Sequence, residues 1–103
     1  MKTLSERLQE VMQEGSLTKR DLQRWFDRPY PTVRFWIIGK HWPWEIWRDD
    51  VEAKLRALEL LVRQRKYLPV PPSFSPRDRS DLMQALIHAR DSGLSRVNPA
   101  PRR

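Results

Sequence analysis

A chain of 103 residues can enclose one compact core with appendages, but not two full-sized ones. Twenty Lys and Arg against thirteen Asp and Glu leave a formal net charge of +7, which points to an anionic partner such as nucleic acid or an acidic surface, or merely to a well-solvated exterior. The absence of cysteine excludes disulfide frameworks and Cys-based zinc sites. No stretch approaches the roughly 18 to 20 apolar residues of a membrane span, so a soluble intracellular protein is expected.

Thr3-Leu4-Ser5-Glu6 has the form of a capping box, in which the Thr3 hydroxyl accepts from the third helical amide and Glu6 reaches back to the cap. It predicts a helix over about residues 4–14, with Leu4, Leu8, Val11 and Met12 on one stripe and Gly15 as its left-handed close. Thr18-Lys19-Arg20-Asp21 is a second box, flanked by Leu17 and Leu22 at positions where the two can pack as a hydrophobic staple. That helix turns Leu22, Trp25 and Phe26 inward and should stop near Asp27, because Pro29 pushes Arg28 out of helical geometry. A third helix follows over about residues 30–38. Pro29 and Pro31 fall at its start, where a missing amide loses no partner; Val33, Trp36 and Ile37 face inward, and Gly39 closes it.

His41-Trp42-Pro43-Trp44 reads as a tight connection, and residues 44–47 can form a preceding turn of the next helix. Asp49-Asp50-Val51-Glu52 gives a D-x-x-E start for a helix over about residues 49–66. Its stripe of Val51, Leu55, Leu58 and Val62 fits either a core or an antiparallel dimer seam. Four prolines between positions 69 and 76 mark residues 69–75 as a semi-rigid extended linker outside the core, so that a globular unit spans residues 1–68. Ser75-Pro76-Arg77-Asp78 then opens a capped amphipathic helix, residues 76–93. Leu82, Met83, Leu86, Ile87 and Ala89 form its apolar side and Gly93 its stop; residues 94–103, with Arg96, Arg102 and Arg103, form a basic tail. Most of the aromatic rings, five Trp, three Phe and two Tyr, are expected inside.

Two short helices joined by a turn of about three residues, between positions 17 and 40, form the arrangement that presents a helix to the major groove. Leu17-Thr18, Asp21-Leu22, Phe26, Thr32-Val33, Trp36, Gly39-Lys40 and Pro43 resemble, without a gap, the pattern of the phage-repressor and Cro class, the XRE-type helix-turn-helix family. The resemblance implies an all-α, lambda-repressor-like domain of four to five helices. It implies that Thr18 and Lys19 contact phosphates and that Tyr30, Pro31, Thr32 and Phe35 face bases. By the same analogy the chain is a bacterial cytoplasmic protein, a small phage-like or mobile-element transcriptional regulator that binds double-stranded DNA as a homodimer or higher homo-oligomer.

The pattern departs from the family at Gln23, Asp27 and Pro29, which replace a small residue, a turn glycine and a hydroxyl cap. The base-facing positions also lack the paired donors and acceptors of Arg, Gln or Asn. Tyr30 and Phe35 could meet thymine methyls and Arg34 a guanine or a phosphate; with Ile38, Tyr30 and Phe35 could equally form an apolar patch for a protein partner. Between Leu17 and Pro43, Lys19, Arg20, Arg24, Arg28, Arg34 and Lys40 face only Asp21 and Asp27, a surplus of four positive charges, with a solvated charged face as the plain alternative.

Leu82, Leu86 and Ile87, beyond the linker, need something to cover them: their own domain, a second subunit or another protein. A phage DNA-packaging or virion-assembly component of the small-terminase kind, and a helix-turn-helix reused as a protein-binding adaptor, are the alternative functions. Enzymatic activity, cofactor and metal are not expected. His41 and His88 stand far apart without a second ligand at metal spacing, there is no Gly-rich phosphate loop, and Asp49 and Asp50 fit helix capping better than acid-base chemistry.

Overall fold

Each of the two N-terminal capping boxes forms as its residue types dictate. In the computed structural model, which describes residues 1–97 and side chains as far as residue 92, helix α1 (Leu4–Gly15) starts with the Glu6 amide donating to Thr3 Oγ1 at 3.1 Å and the Thr3 amide donating to Glu6 Oε1 at 2.8 Å. Helix α2 (Lys19–Phe26) repeats the device with Thr18 and Asp21, and the flanking Leu17 and Leu22 are both buried. Helices α3 (Tyr30–Ile37), α4 (Glu45–Gln64) and α5 (Pro76–Val97) complete the fold. Among the described residues there is no strand.

The inward stripes meet in one core. Leu8 and Val11 of α1, Leu22, Trp25 and Phe26 of α2, Val33, Trp36 and Ile37 of α3, and Val51, Leu55, Leu58 and Val62 of α4 are all buried in a single cluster. The α4 stripe is therefore a core stripe and not a free dimer seam. Trp25 is anchored as well as buried, its indole N–H donating to the Lys54 carbonyl at 2.8 Å. On the flank of the bundle, Arg7 of α1 forks between Glu52 and Glu59 of α4, with its closest bonds to each at 2.8 Å. Hydrogen bonding from Arg7 is the main reason the Glu52 carboxyl is held below its usual range.

Several boundaries differ from the sequence expectation. Gly15 stays helical, and Ser16 takes the left-handed position, φ 52°. Gly15 is needed for space: a Cβ there would lie 3.2 Å from both Leu17 and Val62 side chains. Helix α4 begins at Glu45, four residues ahead of Asp49, with Trp44 as a cap that contributes no side-chain bond. Pro43 bars helical geometry only for the residue before it, so the helix starts as soon as the chain has passed it, and Asp49 and Asp50 lie inside α4. Arg65, φ 55°, ends it. Helix α5 continues through Gly93, since glycine permits a helix stop but does not impose one. The basic tail beyond Val97, with Arg102 and Arg103, lies outside the described residues.

The proline-rich stretch returns along the body. Leu68 and Val70 enter the core, and the Val70 amide donates to the Gly15 carbonyl at 3.0 Å. It delivers α5 onto α2. There the Ser75–Asp78 box forms as expected, Met83 and Leu86 are buried, and Leu82 and Ile87 pack partly covered against the core. Ala89, expected on the apolar side, is exposed. Of the aromatic residues only Trp25, Phe26 and Trp36 are core; Trp42, Trp44 and Trp47 are on the surface. None of the helices among the described residues is long and apolar enough to cross a membrane.

Candidate nucleic-acid interface

Residues 27–29 turn the chain from α2 into α3. Asp27 adopts φ 55° and ψ 53°, and its amide bonds back to the Gln23 carbonyl, so it fills the left-handed position that glycine most often takes after a helix. Pro29 then precedes α3 without a side-chain cap, and its carbonyl accepts from the Val33 amide at 3.2 Å. Across the turn, Phe26 meets Trp36 edge to face with centroids 6.0 Å apart. The far end of α3 is tied to α1: Ser5 Oγ and Gln9 Nε2 both donate to the Ile37 carbonyl, at 2.5 and 2.9 Å. A short helix held at both ends and along one side presents its other side rigidly.

That other side carries the residues singled out by the sequence. Pro31, Arg34 and Ile38 are exposed, and Tyr30, Thr32 and Phe35 are half-buried. Arg20, exposed on the first turn of α2, lies with its guanidinium carbon 4.5 Å from the Tyr30 ring centre, so the starts of α2 and α3 share one surface. Lys19 precedes Arg20, and Arg34 lies one helical turn beyond Tyr30. Neither Lys19 nor Arg34 has an ion pair among the described residues. Thr18, exposed, spends its amide and one hydroxyl lone pair on Asp21, which leaves the hydroxyl proton free to donate. Of the first-turn amides of α2, that of Asp21 bonds to Thr18 Oγ1, whereas those of Lys19 and Arg20 have no partner within the helix.

The remaining candidates separate from that group. Arg28 lies 4.6 Å over the Trp47 ring and 3.9 Å from Asp50, and donates to the Asp27 carbonyl at 3.2 Å. Lys40 lies 5.5 Å over Phe35, whose ring also meets His41 edge-on at 4.9 Å. Arg24 is 3.7 Å from Asp21. Leu82, Leu86 and Ile87 are turned to the protein's own core, on the side of α2 covered by α5.

The sequence reading missed two groups. One is the aromatic surface of Trp42, Trp44 and Trp47. Its signal was present in His41-Trp42-Pro43-Trp44, where alternate tryptophans flank a proline and fit no helical stripe. The other is the pair of α5 arginines that clamp α2: Arg79 on Asp21 at 3.1 Å, and Arg90 on the Trp25 carbonyl at 2.7 Å with its guanidinium over the Trp25 ring. No family model, curated protein or solved structure matches this chain.

Proposed function

We propose that this protein binds double-stranded DNA through a helix-turn-helix of α2 and α3 and acts as a small transcriptional regulator. The observation that carries the reading is the Arg20–Tyr30 contact, which joins the capped start of α2 to the exposed side of α3 in one positively charged surface. In this reading Thr18, Lys19, Arg20 and the Lys19 and Arg20 amides of α2 hold phosphates, as helix N-termini do. Helix α3 then lies in the major groove, with Tyr30, Pro31 and Thr32 toward bases and Arg34 at a base edge or the opposite backbone. Base discrimination would rest on apolar contact with thymine methyls and on duplex shape more than on paired hydrogen bonds.

A regulator of this kind works as a dimer on a two-fold site. The second protomer would use a surface other than the α4 stripe and Leu86, which are inside the core. The test of the DNA face is a gel-shift titration of Lys19→Ala and Arg34→Ala at two salt concentrations. Each variant should bind any duplex more weakly and with a flatter salt dependence; parental binding by both would reject the face.

A further inference from the structure

We propose that the aromatic groove between α3 and the start of α4 is a stacking site for an unpaired nucleobase, so that the protein prefers DNA with a single-stranded overhang to a blunt duplex. The proposal rests on the DNA-binding reading and extends it to a class of substrate. The groove is a cavity of about 270 Å³ bordered by Phe35, His41, Trp42, Pro43, Trp44 and Trp47. That is below the roughly 300–1,000 Å³ of pockets for drug-sized ligands, and suits one planar ring system. Trp42 and Trp44 are 64% and 72% exposed, whereas Trp25 and Trp36 are buried. The fold thus has room for indoles in its core yet leaves these in water, an arrangement that marks a binding surface.

Charge selects the occupant. From Arg28 to Trp47 the chain carries Arg28, Arg34 and Lys40 against one carboxylate, Glu45. Two of these cations lie on the rings themselves, Arg28 over Trp47 and Lys40 over Phe35, and Trp47 stacks on Trp44 with centroids 5.7 Å apart and planes 18° from parallel. Asp50, beyond the groove, pairs with Lys54 at 3.0 Å and reaches Arg28 at 3.9 Å, and Asp49 borders a different cavity together with Arg48. Protein-docking patches share the enrichment in Trp and Arg but are depleted of Lys, so Lys40 over Phe35 is the contact that separates the two kinds of partner. Aromatic platforms interleaved with cations instead match single-stranded nucleic acid, whose bases stack while its phosphates pair.

The groove is also in the right place. Thr32 lines it as well as Phe35, and both are positions expected to face bases, so a strand leaving a duplex held on α3 would pass directly onto the tryptophans.

The experiment titrates full-length protein with a labelled blunt duplex and with the same duplex carrying a single-stranded overhang, following anisotropy and tryptophan fluorescence. The parent should bind the overhang roughly tenfold more tightly, with quenching of the exposed indoles. Trp44→Ala and Trp42→Ala should lower overhang affinity by roughly 5- to 10-fold, toward that of the blunt duplex and at the low end of losing one stacked base, while Trp44→Phe should keep most of the preference. Both sites are exposed, and unchanged melting of the variants would show that their folds are intact. Equal parental affinity for the two DNAs, or overhang preference that survives both alanine variants, overturns the proposal, leaves duplex binding standing and turns the groove into a protein-docking surface. Failure of the parent to bind either DNA removes the proposal together with the reading beneath it.

Discussion

Arg79 of α5 meets Asp21 of α2, with Nη2 3.1 Å from a carboxylate oxygen, at the turn that presents Lys19 and Arg20. Asp21 is 1% exposed and also accepts from the Thr18 amide at 2.9 Å, so one carboxylate both caps α2 and receives the C-terminal helix. Arg79 donates to the Ser16 carbonyl as well. The proposed DNA-facing turn is thereby braced from behind by a segment some sixty residues away in sequence.

Removing Arg79 leaves a buried carboxylate with only Arg24, at 3.7 Å, as a cationic neighbour. Arg79→Ala is expected to destabilise the fold by about 2–4 kcal/mol, near the range for breaking one side of a buried ion pair. Asp21→Asn should be similarly damaging, since the amide can still cap but cannot balance Arg79. Urea denaturation measures both.

Met83 is fully buried although it lies beyond the proline-rich stretch. Met83→Ala should cost about 2–4 kcal/mol, within the usual span for buried Met to Ala, and the loss should appear in a single cooperative transition that includes the Trp25 environment. Melting followed by near-ultraviolet circular dichroism would detect it; a separate, earlier transition for α5 would show that it is not part of the same core.

Ser16 and Gly15 should respond in opposite directions. Ser16→Gly relieves a left-handed serine, φ 52°, and should stabilise by about 0.5–1 kcal/mol. Gly15→Leu places side-chain atoms where a Cβ alone is already 3.2 Å from Leu17 and Val62, and should destabilise by about 1–3 kcal/mol. Thermal melts of the two variants decide the point.

The Arg7–Glu52 pair predicts a pH dependence. Hydrogen bonding from Arg7 lowers the folded-state pKa of Glu52 below its ordinary 4.5, so folding favours the ionised form. The contribution is fully present above that ordinary value and is lost as pH falls through the depressed one. The Glu52 side chain is 38% exposed, so solvent screening limits the effect to about 0.2–1 kcal/mol. Stability measured against pH should show this acid-side loss in the parent and a smaller one in Arg7→Ala.

Local chemistry made the capping boxes and the inward stripes readable from sequence. The Thr3, Thr18 and Ser75 boxes and the stripes of α1 to α4 follow from residue types three or four positions apart, and all of them form. The sequence marks the start of α4 only to within residues 44–49, because Trp44 caps without a side-chain bond, while Asp49 and Glu52 imitate a start inside the helix. The return of the proline-rich stretch was hidden because Leu68, Val70 and Arg79 find their partners across tens of residues, where no periodicity carries the signal. At the interface, the sequence grouped all the cations together. The structure divides them between an Arg20–Tyr30–Arg34 surface and an aromatic cluster that engages Arg28 and Lys40.

Phosphate neutralisation by the α2–α3 surface is the claim on which the functional account stands, and the affinity for a duplex as a function of salt measures it most directly. With Lys19, Arg20 and Arg34 engaging roughly two to three phosphates per protomer, log affinity should fall with log salt at a slope of about −2 to −3, and twice that for a dimer. No binding to duplex DNA at low ionic strength, or a slope near zero, would contradict it.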